Sequence, residues 1–378
     1  MISILAAPLP DISNLMRAWL GNPPIPPPDK HLFFYSRGTW ALTEGIRALL
    51  SRRHGAQGGC VWFPDYFCAE PLQLIQPQPY EIRFYPVRRT LEPDWDFLEQ
   101  KASQPSRPDI FVLVDYFGLS NNLNCAVDFC RKYQIDLIED KAHVFEWGQS
   151  TPRHVVVYSP RKVLPIPRGG MLSAPDDLHS LMEKPPMVVN HVADISWVFK
   201  KIIQKFLVAI GQPCHRLQMT NTPSAWAAIN TKKDLSHDIS PFALRLFLLG
   251  QSKFDIIRQR RQRNYLYLLE HLARELFHPV FSALERNFCP YAFPVVVQEG
   301  RNYLLENLLR KGIPASSWPD LPPEVERDRE RHQDALWVQR HIILFPVHQS
   351  LSERQMEYMT QIANSFVRGS SLDAANGD

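Results

Sequence analysis

The sequence predicts an α/β protein: a mainly parallel, doubly wound sheet with helices on both faces, followed by a smaller α+β unit. Three observations lead there. Short β-branched or aromatic runs alternate with helical stretches through the first half of the chain. After about residue 230 the pattern changes to a long helix and a few isolated strand signals. The 378 residues, 45% of them hydrophobic, suffice for one large domain and a second, smaller one. We expect the large domain over 1–235 and the small one over 236–378.

The elements follow in order. A helix starts near Thr39 and runs through "WALTEGIRALLSRR", with apolar residues at helical spacing. The strand "GCVWFPDYF" comes next, its regular part ended by Pro64, and then "YEIRFYPV" and "DIFVLVDYFG". "NLNCAVDFCRKYQ" is helical, "IDLIED" is a short buried strand, and "HVVVYS" is another. A long helix from roughly Pro241 to Leu276 leads to "YAFPVVV", a helical "RNYLLENLLRKG" and the closing strand "IILFPV".

Composition narrows the function. A net charge of +3 gives no broad electrostatic footprint for nucleic acid. The run "RQRRQRNY" (Arg258 to Tyr265) sits in a helical pattern and reads as a solvated helix face. Six cysteines show no CxxC pair and no zinc spacing, which fits free thiols in a reducing cytosol. The first residues lack the basic region of a signal peptide, and no uncharged apolar run is long enough for a membrane span, so a cytoplasmic protein is expected. "WVFKKIIQKFLVAIG" (Trp197 to Gly211) is an amphipathic helix suited to the protein's own core or a partner subunit, with a membrane surface as the lesser alternative.

The chemistry gathers at strand ends. Asp140 ends "IDLIED", and Lys162 lies just beyond the following strand, in "SPRK" after Ser159. Carboxyl ends of neighbouring strands in a doubly wound sheet face one crevice, so Asp140 and Lys162 can reach one ligand. "SRGTWAL" puts Gly38 and Thr39 at a helix N-terminus, where free N–H groups and the helix dipole favour a phosphate. A phosphate cradle, a lysine amine and a buried carboxylate together suggest pyridoxal 5'-phosphate. The lysine would form a Schiff base, and the carboxylate would keep the pyridine nitrogen protonated.

The chain also resembles the fold-type-I pyridoxal-phosphate enzymes of the DegT/DnrJ group, the nucleotide-sugar aminotransferases. The resemblance is carried by "SRGTWAL", "VWFPDYFCAEPL", "DYFGLSNNL", "LIEDKAHVF" and "RKVLPIPRGGML", and further on by "RRQRNY", "KGIPASSWPDLP" and "LFPVHQSLS". It implies Lys162 as the Schiff-base lysine and Asp140 at the pyridine nitrogen. It puts His143 near the ring's face or phenolic oxygen, and Gly38, Thr39 and Ser159 on the phosphate. Tyr66 or Phe67 would stack on the ring, Tyr66 by preference.

Three departures bear on substrate. Ser159 stands three residues before the lysine where the family usually has five. Arg168 replaces an acidic residue before the glycine pair Gly169–Gly170, as a solvated loop residue or a contact for a substrate anion. Ser236 stands near the place of an asparagine that reaches the partner's phosphate. The resemblance implies transfer of an amino group from an amino acid, glutamate by expectation, to a keto-sugar nucleotide in polysaccharide or secondary-metabolite synthesis. It also implies a homodimer, for which the apolar helices after residue 190 could supply the surface. The alternatives are a sugar dehydratase, against which the lysine itself argues, and a non-catalytic regulatory or scaffold protein.

Overall fold

The computed structural model of the chain describes residues 2, 4–25, 31–55, 58–75, 80–105, 107–118, 122–144, 146, 150–182, 191–209, 239–284 and 288–375. Seven strands make the main sheet: β1 (Leu32–Tyr35), β2 (Cys60–Pro64), β3 (Glu81–Tyr85), β4 (Ile110–Val114), β5 (Asp136–Lys141), β6 (His154–Tyr158) and β7 (Gly170–Ser173). Their order is β1-β7-β6-β5-β4-β2-β3. The run from β3 to β6 is parallel, and β7 is antiparallel to both β6 and β1. β4, β5 and β6 are buried at every position, as strands covered on both faces must be.

Helix α1 (Ile12–Trp19) precedes the sheet. The central helix α2 (Gly38–His54) follows β1 and buries nine of its residues, from Trp40 to Leu50, chiefly against β6 and β7. The crossovers of the parallel run carry α3 (Ala69–Ile75), α4 (Trp95–Ala102) and α5 (Leu123–Tyr133). Beyond β7 comes α6 (His191–Ala209). The long helix expected from Pro241 is two helices, α7 (Pro241–Gln251) and α8 (Phe254–His271). Ser240 caps α7, accepting a hydrogen bond from the Ala243 N–H at 3.2 Å.

A second, three-stranded antiparallel sheet takes the order β10-β9-β8, formed by β8 (His278–Pro279), β9 (Ala292–Val296) and β10 (Ile342–Pro346). Around it run α9 (Arg301–Arg310), α10 (Pro323–Arg327), α11 (Gln333–His341) and the closing helix α12 (Glu353–Ala375). The expected domain boundary at 235/236 lies outside the described residues.

Three apolar clusters hold these parts. The largest joins the main sheet to α2, and a second joins the C-terminal sheet to α8, α9 and α12. The third packs α7 and α1 on β6 and β7. Ile4, from the beginning of the chain, belongs to the second cluster, and the His348 ring donates to the Leu5 carbonyl at 2.8 Å. The chain's first residues are therefore part of its C-terminal lobe.

Candidate active site

The register sets Val114 beside Asp140 and Asp140 beside Val157, so the carboxyl ends of β4, β5 and β6 open together. After β6 the backbone makes a 3-10 turn over Pro160–Lys162. This turn carries Lys162 to His143, with Nζ and Nε2 2.8 Å apart. The backbone N–H of Phe117 donates to His143 Nδ1 at 3.3 Å, so a neutral His143 carries its proton on Nε2. The Lys162 amine then has to accept that proton's hydrogen bond, which requires its neutral form.

Electrostatics point the same way. Lys162 keeps some exposed surface, but the shell around its amine is packed, and that desolvation holds it below the usual lysine range. Asp140 pulls it back up and Arg161 lowers it. Burial pushes the Asp140 carboxyl up, opposed by the Lys162 charge and by the Ala142 N–H, which donates to Oδ1 at 2.8 Å. Burial, and then the charge of Lys162, push His143 far below the ordinary histidine range. Burial also pushes the Cys68 thiol up to about 12, so it stays protonated at neutral pH.

The phosphate cradle is built by close approach. Arg37 stands at the N-cap of α2 without a capping hydrogen bond from its side chain, and Gly38 and Thr39 are only partly buried. Ser159, itself buried, lies against this helix start: a Cβ on Gly38 would fall 3.1 Å from Ser159 Cβ and 3.3 Å from its hydroxyl. Uncapped N–H groups beside a hydroxyl, with Lys162 three residues on, make a site for an anion. The glycine pair serves this junction. A Cβ on Gly170 would sit 2.0 Å from the Arg37 carbonyl oxygen, and Gly169 donates its N–H to Ser36 at 2.8 Å. Its small size makes room for the start of α2 rather than for a ligand.

The aromatic residues pack on one another within the protein. Tyr66 is fully buried and stacks on Trp318, with ring centroids 4.7 Å apart and planes 23° from parallel. Phe67 packs on Phe63 at 5.1 Å. His143 stacks on Tyr291 at 4.7 Å and 4° and lies parallel to Phe117 at 5.9 Å and 6°. Its Nε2 edge is turned to Lys162. The Tyr66 hydroxyl is buried without a hydrogen-bond partner.

Arg168 is buried and engaged within the protein, which removes the solvated-loop reading. Ser236 lies outside the described residues. The basic run on α8 is not wholly a solvated face, because Arg261 is 1% exposed. Its guanidinium donates to the carbonyls of Val163 at 3.1 Å and Pro290 at 2.9 Å and to the Gln349 side chain at 2.8 Å. Gln349 also donates to Val163 at 3.1 Å, so two side chains fix the backbone next to Lys162. Sequence reasoning missed Arg261, Tyr291, Trp318 and Phe117. For Arg261 a signal existed: Ile257, Arg261, Tyr265 and Leu268 fall on one helical face, and all are buried.

No family model matches the chain, and no curated protein matches it. Solved structures do. Helicobacter pylori PseC, an aminotransferase involved in the biosynthesis of pseudoaminic acid, superposes with a TM-score of 0.68 at 14% identity, over 98% of this chain and 100% of its own. This chain has the fold of a sugar aminotransferase. Spr1654 from Streptococcus pneumoniae, in its PMP form, gives 0.68 at 13% identity over 97% of this chain and 100% of that one. A DegT DnrJ EryC1 StrS aminotransferase from Brucella abortus gives 0.63 at 14% identity over 94% of both chains. The doubly wound fold is thus as expected, and at this identity the likeness speaks for fold alone. Among the described residues, no helix is long and apolar enough to cross a membrane.

Proposed function

We propose that the protein is a pyridoxal-phosphate-dependent transaminase of the DegT/DnrJ type, moving an amino group from an amino acid, glutamate first, to a keto-sugar nucleotide. One observation carries the reading: a desolvated lysine amine, 2.8 Å from a histidine and under the influence of a buried carboxylate, stands just after a serine that packs on an uncapped helix start. These residues fit the cofactor. Gly38 and Thr39 N–H groups and the Ser159 hydroxyl would hold its phosphate, Asp140 its pyridine nitrogen, and His143 Nε2 would lie beside Lys162. Tyr66, stacked on Trp318, would form the wall behind them.

When bound, the cofactor supplies an electron sink for the electron pair left on a substrate carbon that loses its proton. The chain's own part is proton handling and orientation. Lys162 Nζ, kept neutral by desolvation and by the His143 N–H, takes the proton from the substrate carbon next to nitrogen and returns it at the other end of the same C–N unit. Asp140 does its work ionised, and a protonated pyridine nitrogen would supply the positive charge its buried carboxyl lacks. Arg261 and Gln349 hold the Val163 carbonyl and so fix where Lys162 can reach. A homodimer and a cytoplasmic setting belong to the same proposal.

The test begins with pyridoxal phosphate added to purified protein, borohydride reduction and peptide mapping by mass spectrometry. The expected result is a pyridoxyl group on Lys162, absent from Lys162→Ala, and a visible absorption band in the unreduced protein that falls when glutamate is added. Labelling spread over surface lysines, or transamination undiminished in Lys162→Ala, would sink the proposal.

A further inference from the structure

Helix α6 turns its polar side inward. Asp194 and Gln204 are 3% and 5% exposed, whereas Val192, Phe199 and Phe206 are 80%, 65% and 62% exposed. With Ile195 and Ile202, these form an apolar row recurring at three- and four-residue intervals, a single stripe along one face of the helix. Lys201, on the inward side, is pulled down to about 8, first by burial and then by Lys200. A surface helix ordinarily does the reverse, burying its apolar stripe and wetting its polar one. An outward row of this length in water therefore needs a cover.

Charge decides between covers. On a helical projection the exposed lysines Lys200 and Lys205 flank the stripe, one on each side, and no exposed acidic side chain accompanies them among the described residues of the helix. A second copy laid antiparallel on this stripe would set lysine flank against lysine flank, which is repulsive. A bilayer surface with anionic headgroups accepts the same arrangement, because the aromatic and branched side chains enter the acyl boundary while the lysine stems reach back to the headgroups.

We propose that α6 is an in-plane membrane anchor that docks the protein on anionic lipid surfaces. It is independent of the transaminase reading. It also changes the expectation for this stretch, which favoured the protein's own core or a partner subunit. On its inner side α6 rests on the cluster of α1 and α7 through Trp197 and Val198.

The experiment is flotation of the full-length protein with vesicles of phosphatidylcholine alone and of phosphatidylcholine with phosphatidylglycerol. The expected result is binding that favours the anionic vesicles and weakens with salt. It should drop about tenfold or more in Phe199→Ser/Phe206→Ser, and Lys200→Glu/Lys205→Glu should lose the anionic preference. Matching circular dichroism and thermal unfolding check that these surface variants fold. No binding to either vesicle, or binding unchanged in the Phe199→Ser/Phe206→Ser variant, would overturn the proposal. So would sedimentation in which that variant becomes a monomer from a wild-type dimer that ignores vesicles, since the stripe would then belong to a second copy.

Discussion

The proton shared along Phe117 N–H, His143 and Lys162 has only one consistent direction. Phe117 donates to Nδ1, so Nε2 donates to Lys162, and the amine is favoured neutral. Since burial lowers the amine's pKa, more of it is neutral at pH 8 than for a solvated lysine. The rate of reductive labelling of Lys162 by pyridoxal phosphate should therefore hold up to lower pH than that of N-acetyl-lysine amide measured alongside. His143, pushed far below its usual range, should add no inflection near pH 6.5. His143→Phe keeps a ring between Phe117 and Tyr291 but removes the Nε2 donor, so the acid limb should move upward. An unmoved limb would mean that His143 does not hold the amine neutral.

At the scale of elements, the junction between α2 and β7 makes the sharpest demand. A Cβ on Gly170 would fall 2.0 Å from the Arg37 carbonyl oxygen, so this position cannot take a methyl group without moving backbone. Gly170→Ala should cost about 3 kcal/mol or more in urea unfolding. A Cβ on Gly38 meets Ser159 Cβ at 3.1 Å, a contact no rotamer change relieves, so the backbone at Ser159 or at the start of α2 has to give by a few tenths of an ångström. Gly38→Ala should leave stability within about 1 kcal/mol yet weaken pyridoxal phosphate binding about tenfold, as the shifted backbone and the added methyl group crowd the cradle. Equal losses of stability in the two variants would contradict this division. Of these elements, β2 to β6 were legible because β-branched runs bounded by turn residues are local signals. β1 (LFFY) and β7 (GMLS) were not, since each is four residues long and becomes a strand only by pairing with a distant partner. The same divide runs through the site. Lys162, Asp140, Ser159, Gly38 and Thr39 stand at strand ends and a helix start, which periodicity locates. Tyr291, Trp318 and Arg261 arrive from the other half of the chain through tertiary packing, and no local pattern announces where they dock.

Over the whole molecule, the beginning and end of the chain are joined, and the joint is sensitive to acid. Ile4 fills the C-terminal apolar cluster, and His348 donates to the Leu5 carbonyl from a site where it is 3% exposed. Burial lowers His348 to about 3, the Leu5 carbonyl opposes this, and the charges of Arg261 and Lys201 add to it. A histidine whose folded pKa is depressed stays neutral in the fold while the unfolded chain takes up a proton below its ordinary value of about 6.5. Its contribution is therefore complete above pH 6.5 and falls as pH drops, by about 1.4 kcal/mol per unit at most, until about pH 3. His143 acts with the same sign, so His348→Gln, which can still donate to Leu5, should flatten the pH dependence of unfolding between 6.5 and 4 without abolishing it. Urea midpoints measured across that range in wild type and variant give the comparison. Parallel curves would show that His348 titrates normally and that the chain's first residues are not held as described. A flatter variant curve would place part of the molecule's acid sensitivity where its two ends meet, the rest lying with His143 in the crevice.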